Sequence, residues 1–195
     1  MRSSIVAIVG RPNVGKSTLF NRFLEKREAI THPTSGVTRD RNYGEVEWAG
    51  VKFTLIDTGG FVPDSEDVFE SAIREQVKIA LEEADMVLFL ADALDGVTPV
   101  DSEIANIIRK SNKKVFLAVN KVDGMNRENL IYPFYSLGVG DPFQISAISG
   151  RACGDLLDAM IEQMPAMEEN DSGDERIKLA IIGKPNVGKS SLTNA

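Results

Sequence analysis

Residues 4–17 carry an apolar segment, SIVAIV, straight into GRPNVGKS, and a helical pattern follows from Lys16 to Glu25. Few short stretches restrict a fold as much. Gly10 and Gly15 let the backbone curl until successive N–H groups point inward. The helix that follows adds the partial positive charge of its N-terminus, so the loop is a ready-made cradle for a phosphate chain. Lys16 is then placed for β- and γ-phosphates, and the Ser17 hydroxyl for Mg²⁺. Asn13, Val14, Gly15 and Thr18 complete the stretch expected to surround the anion. The alternative is a glycine-rich turn followed by a chance Lys-Ser pair, and the preceding strand and following helix disfavour it.

The same string occurs twice. Residues 7–21, AIVGRPNVGKSTLFN, return at 180–194 as AIIGKPNVGKSSLTN, with 11 of 15 positions identical and an offset of 173 residues. That offset is a domain length and not a solenoid period. The chain is therefore expected to hold a first domain at 1–164, an acidic linker at 165–176 (PAMEENDSGDER) and the opening strand, loop and helix of a second domain at 177–195. An ordinary surface loop is the other reading of the acidic stretch.

Between the copies, apolar segments alternate with helical patterns. Strands are expected at 4–10, 43–49, 51–57, 86–92, 114–120 and 142–146. Helices are expected at about 16–25, 67–83, 100–110 and 151–163, with a weak one near 126–136. Strands 86–92 (MVLFLAD) and 114–120 (KVFLAVN) are apolar almost throughout, as strands covered on both faces are. The pair 43–49 and 51–57 alternates with period two and turns at Ala49-Gly50, the pattern of a hairpin with an antiparallel edge strand. The fold class is α/β, a three-layer P-loop NTPase (G-domain) fold with a mostly parallel six-stranded sheet and helices on both faces.

Composition narrows the partners. A net charge of −7 disfavours non-specific binding to DNA or RNA. No apolar run approaches the ~20 residues that span a membrane, and Cys153, the single cysteine, excludes an internal disulfide framework. The N-terminal apolar segment reads as a core strand and not a leader peptide, so the cytoplasm is the expected location.

A phosphate loop does not choose its base. Asn120-Lys121-Val122-Asp123, at the end of an apolar strand, does. The Asp123 carboxylate can accept from the N1–H and 2-amino group of guanine, whereas adenine has neither donor and would leave the carboxylate buried and unmatched. Such a mismatch gives roughly 10²–10⁴ in discrimination. Lys121 can lay its aliphatic stem on the base, Asn120 can brace this loop against the phosphate loop, and Ser146-Ala147 can place the Ala147 N–H at the guanine O6. Asp57-Thr58-Gly59-Gly60 ends another strand, with Asp57 placed to hold Mg²⁺ through a water and the Gly60 N–H to meet a γ-phosphate. Thr38, in the polar stretch THPTSGVTRDR, is the candidate to bring a second hydroxyl to Mg²⁺; the alternative is a plain surface-loop Thr, since Thr31 and Thr34 lie close by. Lys16, Thr38, Asn13 and Gly60 are the candidate catalytic groups. His32 reads as a solvated side chain, Cys153 as a small buried one, and Trp48 and Phe53 as hairpin core.

Taken in this order, RPNVGKSTLFN, GVTRDR, DTGG, NKVD and the second KPNVGKSSL resemble the translation-factor-related GTPases. With the tandem repeat and acidic linker they are similar to the bacterial double-domain GTPase family Der (also called EngA) over the whole chain. The resemblance implies GTP/GDP as ligand, Mg²⁺ as cofactor, the large ribosomal subunit as partner during its maturation, and a K⁺ ion on Asn13 bridging the phosphates. Asn13 serving only to support the loop is the alternative. Ser35 departs from the Pro usual in that family. Phe61 follows Gly60 where Ras-like enzymes carry a water-orienting Gln, so hydrolysis without that Gln is expected. A nucleotide-gated binding module with incidental hydrolysis and an ATP-using P-loop protein remain the other readings; Asp123 speaks against the latter.

Overall fold

The computed structural model describes residues 3–25, 42–58 and 66–164. The expectations for Thr38, His32, Gly60 and Phe61, for the linker at 165–176 and for the second repeat at 177–195 lie outside those residues. The element order is β1 (Ser4–Val9), α1 (Lys16–Glu25), β2 (Asn42–Trp48), β3 (Val51–Asp57), α2 (Glu66–Glu83), β4 (Met86–Asp92), α3 (Pro99–Arg109) and β5 (Lys114–Asn120). A 3-10 run (Met125–Leu137), β6 (Pro142–Gln144) and α4 (Cys153–Glu162) complete it.

The six strands form one sheet in the order β2-β3-β1-β4-β5-β6, and only the β2–β3 pair is antiparallel. The hairpin closes through Ala49 and Gly50 at φ 48° and 83°. Two left-handed residues give the turn whose twist matches that of the flanking strands.

Because side chains alternate along a strand, each central strand feeds two cores. Val6 and Ile8 of β1 join Leu88 and Leu90 of β4 beneath α1 and α4, where Leu19, Phe23, Leu156 and Met160 are buried. Ala7 and Val9 join Val87 and Phe89 beneath α2 and α3, with Val77, Ala80, Ile104 and Ile108. The outcome is the three-layer α/β architecture expected. Helix α3 starts cleanly because Thr98 and Asp101 form a reciprocal capping box around Pro99 at its first turn.

Element bounds shift by one or two residues from those expected, and three differences have a local cause. β1 stops at Val9, since Gly10 leaves the strand at φ 153°. β6 stops at Gln144, although the Ile145 N–H still donates to the Val119 carbonyl of β5 at 2.9 Å; the turn that leads into α4 begins at Ser146, whose carbonyl accepts from the Gly150 N–H at 2.7 Å. The weak helix is a 3-10 run in which Ile131, Phe134 and Leu137 turn inward every third residue.

All parallel strands end at one edge of the sheet, and there the chain passes very close to itself. A Cβ on Gly10 would stand 2.2 Å from the Leu90 carbonyl oxygen, and one on Gly15 would stand 2.4 Å from the Asn120 carboxamide nitrogen. Replacement Gly10→Ala should therefore cost about 2–4 kcal/mol through strain and backbone displacement. Thermal unfolding should read that as a Tm lower by roughly 5–15 °C; an unchanged Tm contradicts this close approach.

Candidate functional site

The site begins where β1 ends. Asn13 takes a left-handed conformation at φ 64° and Gly15 lies at φ 99°, so the loop wraps before α1 opens at Lys16. Lys16 is buried, and its ammonium donates to the carbonyls of Gly10 and Arg11, both at 2.9 Å. Burial pulls its pKa down to about 8; Asp57 opposes that shift, and the Arg11 guanidinium adds to it. Val14 is buried beneath the loop, and Ser17 and Thr18 are exposed on the first turn of α1. Asp57 ends β3 fully buried, beside Ile8 in the strand register, and the Thr58 hydroxyl donates to the Ile8 carbonyl at 2.7 Å. The structure thus brings the phosphate loop, Lys16 and Asp57 to one place.

A second cluster stands alongside. The Asn120 carboxamide donates to the Val14 carbonyl at 2.8 Å and accepts from the Ala147 N–H at 2.8 Å. One buried side chain thereby joins the phosphate loop, the end of β5 and the turn after β6. The Ser146 hydroxyl donates to Asp123 Oδ1 at 2.6 Å and also accepts from the Ser149 N–H at 3.1 Å. Asp123 is therefore aimed by a neighbour that is itself fixed.

Two details go beyond the sequence expectation. Asp123 is exposed, so burial of its carboxylate would come from a ligand lying on it. The Ala147 N–H, expected at a guanine O6, is engaged by Asn120 Oδ1, because the turn after β6 brings it against that carboxamide.

Three residues make contacts here that no sequence motif assigned to them. Arg22 of α1 donates through Nε and Nη2 to the carbonyls of Ala147 and Ile148, 125 and 126 residues away, tying the phosphate-loop helix to the Ser146–Gly150 turn. Arg11 reaches from the phosphate loop to Asp95 at 2.6 Å and lies 3.5 Å from the buried Asp101. Asp92, 1% exposed at the end of β4, pairs with Lys121. Only tertiary proximity reveals these partners.

Among the described residues no group of three or more His, Cys, Asp or Glu could hold a metal by itself. No helix among them is long and apolar enough to cross a membrane.

Comparison with known proteins gives a consistent set. A family model described as 50S ribosome-binding GTPase matches residues 5–121. The chain is 54% identical over 196 residues to a GTPase Der of Flavobacterium johnsoniae, covering 100% of this chain and 45% of that protein. It is 55% identical over 192 residues to a GTPase Der of Christiangramia forsetii, covering 98% and 44%. The chain thus spans less than half the length of these curated relatives. Among solved structures it is similar to Era in complex with MgGDPNP and nucleotides 1506–1542 of 16S ribosomal RNA. That match has a TM-score of 0.67 and 31% identity over 94% of this chain and 60% of the other. It is also similar to the FeoB G-domain of Methanococcus jannaschii, with a TM-score of 0.57 and 25% identity over 83% and 97%.

The buried ammonium sets a pH dependence. The folded chain releases the Lys16 proton near pH 8 and the unfolded chain near its ordinary 10.5. Between those values the unfolded state holds more protons, so this group's contribution to stability rises with pH across that window. Ligand binding runs the other way, since a polyphosphate favours the charged form and is bound with proton uptake above pH 8. Calorimetry with a nucleoside diphosphate should show affinity falling about tenfold between pH 7 and 9; constant affinity across that range contradicts this assignment of Lys16.

Proposed function

We propose, for a chain that belongs to the family of 50S ribosome-binding GTPases, that residues 1–164 form a guanine-nucleotide switch domain that hydrolyses GTP to GDP and phosphate. The observation that carries the reading is the joint fixing of phosphate loop and base loop by Asn120, with Ser146 aiming Asp123. The linker at 165–176 and the partial repeat at 177–195 would join this domain to a second one of the same kind. The family's description supports the large ribosomal subunit as partner, and the cytoplasm would be the place where they meet.

The chemistry asked of the protein is positioning and charge. Phosphoryl transfer spreads negative charge over the γ-phosphate oxygens, and catalysis rests on groups held in place before the reaction. Lys16 is such a group, because two backbone carbonyls and the field of Asp57 hold its ammonium at the mouth of the loop. Asp57 and Ser17, with Thr38, suit a hard cation that takes few protein oxygens and shares the rest with phosphates. Mg²⁺ held there would neutralise charge on the phosphate oxygens. The Gly60 N–H would meet the γ-phosphate, and Phe61 offers no group to orient water. Asn13, exposed on the rim of the loop, is the candidate ligand for K⁺, which would supply the positive charge an arginine finger gives elsewhere.

Base recognition is tested by Asp123→Asn. The variant should lose roughly 10²–10³ in affinity for GTP and gain affinity for xanthosine triphosphate, which presents the complementary hydrogen-bonding edge. The wild-type titration should end at one nucleotide per chain; unchanged GTP affinity in the variant contradicts the reading. Hydrolysis should be abolished by Lys16→Ala and stimulated by K⁺ over Na⁺ in the wild type. That stimulation should vanish in Asn13→Ala, and equal turnover in the two salts contradicts the role of Asn13.

A further inference from the structure

Asp92 is a buried carboxylate that no part of the proposed chemistry uses. It ends β4, directly opposite Asn120 in the β4–β5 register, and is 1% exposed. A carboxylate so placed is strongly disfavoured unless it is paired and hydrogen-bonded. Here one oxygen, Oδ1, accepts from the Leu94 N–H at 2.9 Å, and the other, Oδ2, pairs with the Lys121 ammonium. Lys121 itself stands in the left-handed region at φ 70°, one residue past the end of β5 and two before Asp123. Its side chain is 32% exposed although its charge is tied to a buried group.

A lysine on a sheet edge ordinarily samples many rotamers, and ordering it on a ligand consumes binding energy. With its ammonium held by Asp92, the four-carbon stem is instead laid along the edge between the ends of β4 and β5. That is an apolar platform made before a ligand arrives. The geometry points to Asp92 as the positioning residue that fixes the Lys121 stem as the platform for the purine face. This inference rests on the guanine-nucleotide reading of the site and adds to it the group that sets the shape of the base pocket. It also separates two duties: the Lys121–Asp92 pair would serve any purine, while Asp123 alone would choose guanine.

The substitution Asp92→Asn isolates the pair. The carboxamide oxygen can still accept from the Leu94 N–H, so only the charged contact with Lys121 is lost. Calorimetry with GDP and ADP on the full chain, with thermal unfolding in the absence of nucleotide, compares wild type, Asp92→Asn, Lys121→Ala and the double variant. Asp92→Asn should weaken GDP about tenfold and leave the GDP-to-ADP preference intact. The double variant should bind no more weakly than Lys121→Ala alone, since the carboxylate acts only through that lysine. Losses that add in the double variant would overturn the inference, because Asp92 would then act by another route. Unchanged or tighter GDP binding in Asp92→Asn would overturn it too, because the ammonium would then leave Asp92 for the nucleotide. A lost GDP-to-ADP preference would overturn it as well, because Asp92 would then act through Asp123. Failure of the wild type to bind GDP would instead sink the parent reading, and this one with it.

Discussion

The carboxamide of Asn120 is the tie on which the rest of the site depends. Its nitrogen donates to the Val14 carbonyl and its oxygen accepts from the Ala147 N–H, in a region from which water is excluded. A carboxamide can serve a carbonyl and an N–H at once, through two atoms set apart on one rigid plane. The absence of a Cβ on Gly15 lets the two loops approach closely enough for it to do so. Each bond is ordinary in strength, but each also satisfies a polar group that would be costly to leave buried and unpaired.

From that tie the electrostatics follow. Wrapping the loop against β5 buries Lys16, and burial lowers its pKa while its ammonium rests on loop carbonyls. The charge is thereby held ready at the cost of some of its own stability. Opposing it, Asp57 at the end of β3 and the pairs Arg11–Asp95 and Lys121–Asp92 place alternating charge around one sheet edge. The Arg11 hydrogen bond holds the Asp95 carboxyl below its ordinary value, although that residue lies at the surface. The edge is where an open α/β sheet offers a ligand its crevice, because strand ends and helix starts meet there.

Much of this was legible in the sequence, for identifiable reasons. β4 and β5 are covered on both faces, so their unbroken apolar runs gave their bounds to the residue. The phosphate loop and Asn120 were legible because a short string with a fixed backbone purpose leaves few alternatives. The 3-10 run was less so: its inward-facing Ile131, Phe134 and Leu137 repeat every third residue, a period close enough to 3.6 to read as a weak helix. Arg22, Asp92 and Arg11 could not be assigned roles, since an Arg on an amphipathic helix or an Asp at a strand end usually faces water. Their partners lie across the fold. The exposure of Asp123 was not legible, because it depends on how the loop stands at the sheet edge.

The most direct test is a calorimetric titration of GDP into Asn120→Ala, with thermal unfolding as the control for folding. Loss of both hydrogen bonds should leave the sheet intact and weaken GDP at least 100-fold, since two buried polar groups are orphaned and both loops are released. A folded variant that binds GDP within about threefold of the wild type would contradict the account, because the phosphate and base loops would then be positioned without Asn120.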